Sequence, residues 1–132
     1  MHAWHSEYIR SLPTSEGTFP RRCRLVKPGD YRRVFDDGER SSDGLFLVLA
    51  RSNQLDCARL GLAVSKKSSP SAVHRNRIKR LIRESFRLNQ ALLTGLDLVV
   101  VSRHGAVNAE NRQCLNSLEQ HWRKMVEKCA AS

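Results

Sequence analysis

Arg75, Asn76, Arg77, Lys79, Arg80, Arg83 and Arg87 crowd into one stretch of the chain, with Lys66 and Lys67 shortly before it. Side chains of these types are suited to phosphate: arginine offers a planar fork that binds two oxygens, and lysine a mobile point charge. From Lys66 to Arg87 there are eight basic residues and one acid, Glu84, a local charge of +7. A second concentration, Arg21 to Arg33, sets six basic residues against Asp30. The chain carries +10 over 132 residues, so everything outside these two windows is slightly acidic. Charge spread for solubility would not partition this way. Two surfaces for a polyanion would.

Other chemistries find little support. Two-metal phosphodiester hydrolysis needs clustered carboxylates, and Asp36, Asp37 and Glu39 read as a solvated helix end. No Ser–His or Cys–His arrangement and no phosphate-cradling glycine loop is evident, and no residue of the chain is expected to ligate a metal. Cys23, Cys57, Cys114 and Cys129 are scattered, without C-x-x-C or a histidine at ligand spacing. That pattern suits reduced thiols in a cytoplasmic protein. No apolar run approaches the ~20 residues of a membrane span, and residues 1–18 lack the apolar core of a secretory signal. His74 and His104 read as surface residues without a role.

The elements that must position the cations follow from spacing. Residues 1–18, broken by Pro13 and Gly17, read as a flexible extension, and residues 19–132 as a single domain. Pro28 suits the first turn of a helix that carries Tyr31, Val34 and Phe35 on one face and ends near Gly38. Leu45 to Ala50 reads as a strand. In Arg59 to Ser65, Leu60, Leu62 and Val64 alternate with small or polar residues, which predicts a strand with one packed face and one open to a ligand or an overlying helix. Ser71 can cap a helix running to about Gln90. That helix buries Ile78, Leu81, Ile82 and Phe86 and gathers Asn76, Lys79, Arg80, Arg83 and Arg87 opposite, with Leu88 at the margin. Leu96 to Val101 predicts a well-covered strand. Asn108 is expected to cap a last helix with Leu115, Leu118, Trp122, Met125 and Cys129 in one stripe. The order helix–strands–helix–strand–helix describes an α/β protein, a compact two-layer sandwich.

The stretch His74-Arg75-Asn76-Arg77-Ile78-Lys79-Arg80-Leu81-Ile82-Arg83-Glu84-Ser85-Phe86-Arg87 closely resembles the RNR signature of the bacterial ribonuclease P protein subunit. Phe19-Pro20-Arg21, Asp30-Tyr31-Arg32-Arg33-Val34-Phe35, Arg59-Leu60-Gly61-Leu62-Ala63-Val64-Ser65-Lys66-Lys67 and Asp97-Leu98-Val99-Val100-Val101 are similar to further segments of that family, in the same order. The resemblance covers about residues 19–128. Ser68-Ser69-Pro70-Ser71 and Tyr31 depart from the family's more basic loop and its more usual Phe.

The resemblance implies a noncatalytic protein that joins a large catalytic RNA to remove the 5′ leader of precursor tRNA, with Mg2+ held mainly by the RNA and substrate. It implies a left-handed βαβ crossover, and one protein monomer per RNA in the cytoplasm, away from membranes. Lys66, Lys67, Arg75, Asn76, Arg77, Lys79, Arg80 and Arg83 are then expected to contact the catalytic RNA, with Arg87 on the same face. Phe19, Tyr31 and Phe35 would line a cleft for the single-stranded leader, where bases stack on aromatic faces beside a positive groove. From the residues alone, Tyr31 and Phe35 serve equally well as core. A non-enzymatic binder of ribosomal RNA, or a ribosome-assembly module, is the alternative that charge alone leaves open.

Overall fold

The computed structural model describes residues 28–67 and 71–131; the extension 1–18 and Phe19 lie outside the described residues. Helix α1 (Pro28–Asp37) starts at a proline, whose missing N–H is no loss in a first turn. It closes where Gly38 N donates to Val34 O at 2.9 Å. There follow β1 (Glu39–Ser42), β2 (Phe46–Ser52), β3 (Arg59–Ala63), α2 (Ala72–Leu88), β4 (Leu96–Ser102), α3 (His104–Asn108) and α4 (Asn111–Ala131). The strands form one sheet in the order β1-β2-β4-β3. Strand β2 is antiparallel to β1 and β4, and β3 lies parallel to β4, so α2 is the crossover between two adjacent parallel strands.

Side-chain alternation gives the sheet two apolar faces. On one, Val48, Leu60, Leu62, Leu98 and Val100 pack with Ile78, Ile82 and Phe86 of α2 and Leu118, Trp122 and Met125 of α4. On the other, Leu49, Ala63 and Val99 pack beneath Tyr31, Val34 and Phe35 of α1. The α/β sandwich expected from the spacing is present, and α1 adds a partial layer on the second face. Because β4 is interior and covered on both sides, its run Leu96–Val100 is buried throughout.

Two details depart from the sequence expectation. Asn108 does not cap the last helix; it ends the separate five-residue α3, and α4 begins at Asn111. Strand β1, Glu-Arg-Ser-Ser, carries no apolar signal and is set by pairing with β2, Arg40 opposite Leu49 and Ser42 opposite Leu47. Across the α1 face, Arg59 grips Asp97 with two hydrogen bonds of 2.7 and 2.6 Å. Its other nitrogen lies 3.6 Å from Asp30, which ties the first turn of α1 to the sheet.

Candidate nucleic-acid interface

Helix α2 is built to hold one face still and offer the other. Ser71 caps it, its hydroxyl accepting from His74 N. Ile78, Ile82 and Phe86 are fully buried, and Trp122 Nε1 donates to Ser85 Oγ at 2.8 Å. Phe86 and Trp122 meet edge to face with ring centroids 6.4 Å apart, an arrangement aromatic pairs favour. Rigid packing on this side fixes the direction in which the opposite side chains leave the helix.

On that opposite side Asn76 and Arg80 are exposed, and Arg75, Lys79 and Arg83 are partly exposed. Lys66 and Lys67, in the turn after β3, are exposed as well. Arg87 and Arg77 of the sequence-predicted set have polar partners within the protein. Arg87 pairs with Glu84 at 2.5 Å on the last turn, and each group holds the other's charge: the Glu84 carboxyl sits below its usual pKa. Arg77 is turned along the helix flank towards α3 and α4. Its Nε donates to Asn111 Oδ1 at 2.9 Å and its Nη1 to Ala106 O at 3.4 Å, with Nη2 donating to Ala109 O.

A cavity of about 410 Å³ opens at the carboxyl ends of the parallel strands, between Gly44, Ser65, Lys67, Ser102, Arg103, His104 and Gly105. Ligands of α/β proteins commonly bind at such strand ends. Among the described residues its walls hold Lys67, Arg103, His104 and two serines, and no acid. Among the described residues, no ion pair engages Lys67 or Arg103. A Cβ on Gly105 would collide with the carbonyl oxygen of Gly44, so only glycine lets α3 start this close to the β1–β2 turn. Sequence reading passed over Arg103 and gave His104 no role. The signal available was the pair's position immediately after a parallel strand.

Leu47 and Val101 are cross-strand partners packed against the α1 cluster yet only half-buried, and Ser65 and Arg103 follow Ala63 and Val101 by two residues. Leu47 and Val101 thus form a half-buried apolar shelf beside α1, and Arg103 follows β4 two residues after Val101.

Tyr31 and Phe35 do not form the open stacking platform expected of them. They are 3% and 4% exposed, beneath α1. The Tyr31 ring lies so flat on β3 that a Cβ at Gly61 would fall 2.6 Å from its hydroxyl. Burial pushes the phenol pKa well above its usual value. Both rings are core, and the reason is local: the small residues of β3 leave a hollow that an aromatic ring fills.

The structure also joins groups that sequence reading kept apart. Ser41 Oγ lies 2.7 Å from His121 Nδ1, and His121 Nε2 lies 3.2 Å from Asp43 Oδ2, which also accepts from Ser117 Oγ at 2.6 Å. Ser41 and His121 are eighty positions apart, beyond any spacing motif. With Ser41 and His121 at 7% and 2% exposure, the cluster pins the β1–β2 turn to α4 and offers no access to a substrate. Among the described residues no three His, Cys, Asp or Glu side chains gather as metal ligands.

Comparison with known proteins fits this geometry. The Ribonuclease P family profile matches residues 19–126. The chain is 48% identical to the ribonuclease P protein component of Methylococcus capsulatus over 123 residues, 93% of this chain and 96% of that protein. It is also 48% identical to that of Nitrosococcus oceani over 114 residues, 86% of this chain and 96% of that protein. Among solved structures, the RNase P protein of Staphylococcus aureus superimposes with a TM-score of 0.72 at 35% identity, covering 77% of this chain and 94% of that one. The Thermotoga maritima RNase P protein gives 0.67 at 31% identity, covering 76% and 96%.

Proposed function

From the premise that this chain belongs to the bacterial ribonuclease P protein family, as the protein subunit of the endoribonuclease that matures tRNA 5′ ends and the partner of its RNA, we propose that it uses two cationic surfaces for two RNAs. The solvent face of α2, with Arg75, Asn76, Lys79, Arg80 and Arg83, and Lys66 beside it, takes phosphates of the catalytic RNA. The shelf of Leu47 and Val101 and the cavity of Lys67, Arg103 and His104 take the single-stranded leader of precursor tRNA. Tyr31 and Phe35 support that shelf from beneath α1, and Phe19 lies outside the described residues. The cavity whose described lining holds Lys67 and Arg103 and no acid carries this reading. Unstacked bases bind apolar surface while their phosphates need cations close by.

The protein's chemical contribution is electrostatic. Two polyanions must approach each other, and a row of fixed cations lowers that repulsion without reorganising. The family's enzyme depends on Mg2+, which supplies Lewis-acid and nucleophile-generating chemistry; in this reading the RNA and substrate hold the ion. One protein serves one RNA, in the cytoplasm, a setting that the thiols of Cys57, Cys114 and Cys129 suit. Among the described residues no helix is long and apolar enough to cross a membrane.

The experiment is cleavage of end-labelled precursor tRNA at low Mg2+, with the catalytic RNA and the protein each added or withheld. The expected outcome is 5′ cleavage by the RNA that the protein stimulates, and none by the protein alone. Cleavage without RNA would overturn the noncatalytic role, and absence of stimulation would favour a plain ribosomal-RNA binder.

A further inference from the structure

Three oxygen acceptors converge on Arg77, none from an acid: Asn111 Oδ1, Ala106 O and Ala109 O, with the Cys114 thiol beside it. Ala106 lies within α3, Ala109 caps its C-terminus, and Asn111 is the first residue of α4. One planar group therefore ties the early part of α2 to both helices that follow β4. The carbonyls at a helix C-terminus have no partner within the helix and carry the negative end of its dipole, so a guanidinium suits them. Helix α3 has five residues and no side-chain hydrogen bond at its N-cap, Arg103. So short a helix has little intrinsic stability and depends on outside contacts. It begins at His104, directly after Arg103, so whatever fixes α3 fixes a guanidinium and an imidazole at the cavity.

We propose that Arg77 is a positioning residue: it sets α3, and with it Arg103 and His104, relative to the phosphate-binding face of α2, and contacts no phosphate itself. The inference rests on the RNA-binding reading above and reassigns one residue of the RNR sequence within it. Lysine could keep the charge at this position but could not span three separate acceptors.

The test uses the full chain reconstituted with ribonuclease P RNA. Arg80→Ala lowers the slope of log affinity for that RNA against log salt by about 0.7–0.9, one phosphate's worth, whereas Arg77→Ala leaves the slope unchanged. In precursor tRNA cleavage Arg77→Ala raises KM several-fold at nearly constant kcat, as Arg103→Ala does, and the double variant is no worse than either single one. Arg77→Lys does not rescue, and Asn111→Ala moves KM in the same direction without removing a charge. A slope reduced by one contact in Arg77→Ala, or recovery in Arg77→Lys, would overturn the proposal. So would a lower Tm with unchanged KM, which would make Arg77 a brace and nothing more. If Arg77→Ala fails to fold, Arg77→Lys and Asn111→Ala carry the comparison. Failure of the underlying reading shows separately, as wild-type protein without salt-dependent affinity for the RNA.

Discussion

Tyr31 shows how a residue type can point to one role and its surroundings impose another. An aromatic beside Arg32 and Arg33 has the composition of a base-stacking site. Its neighbour across the layer, however, is Gly61, and the ring fills the space a side chain would have taken. The hydroxyl is buried and faces the Leu62 backbone without closing a well-formed hydrogen bond among the described residues, which gives a sharp expectation. Tyr31→Phe keeps the packing and removes the unpaired polar group, so stability should hold or rise slightly. Tyr31→Ala should cost about 3–5 kcal/mol, as truncation of a large buried aromatic does. Urea denaturation of the two variants measures both. A loss of more than about 1 kcal/mol for Tyr31→Phe would mean that the hydroxyl is bonded after all. From the sequence, the small residues of β3 were legible as a vacancy. Which side chain occupies it was not, because that depends on how α1 lies across the sheet.

At the level of elements, periodicity carried far where a face was apolar and failed where pairing or long-range polar contacts decided. Helix α2 could be read with its cap and both faces, since the side of the helix each residue takes follows from 3.6-residue repetition. Strand β1 could not, because its four polar residues are extended only through β2. The Ser41–His121–Asp43–Ser117 junction was equally hidden, although it secures the hairpin to α4. Its acid–base behaviour is predictable. Burial pushes the His121 pKa below the usual 6.5, against the pull of Asp43. For Asp43, burial acts upwards, but hydrogen bonds from Ser117, Phe46 N and Leu45 N, with the charge of His121, outweigh it and hold the group at about 2. Both pKa values are depressed on folding, so the unfolded chain binds more protons and stability declines as pH falls. The His121 contribution is whole above 6.5 and drains below it, whereas that of Asp43 is whole above 3.8 and is lost as pH falls through about 2. Thermal unfolding from about pH 7 to about pH 5 should therefore lower Tm more in the wild type than in His121→Gln. Parallel Tm curves would show that the histidine does not titrate in this junction.

Over the whole molecule, the distribution of charge matters more than its total. The sequence revealed that cations concentrate in two windows, but not which of them the fold engages internally. Arg77 bonds to carbonyl oxygens 29 and 32 positions away, and backbone acceptors have no sequence signature. Arg103, outside both windows, becomes part of the basic cavity only because parallel pairing brings the ends of β3 and β4 together. If α2 and the cavity serve different RNAs, single substitutions on the two surfaces should separate. Arg80→Ala should weaken binding of the catalytic RNA while KM for precursor tRNA, measured with saturating protein, stays near wild type. Arg103→Ala should do the reverse, and its effect should shrink when the substrate leader is cut to a single nucleotide. Arg123→Ala is the control, since Arg123 on α4 is exposed and already paired with Glu119 at 3.0 Å; an exposed pair of this kind contributes little, so neither measurement should move. Equal losses in both assays for Arg80 and Arg103 would mean one continuous field attracting any polyanion. A clean exchange of effects would mean that the fold has divided one positive charge excess into two addresses, which a difference in salt dependence between the two binding steps should then mirror.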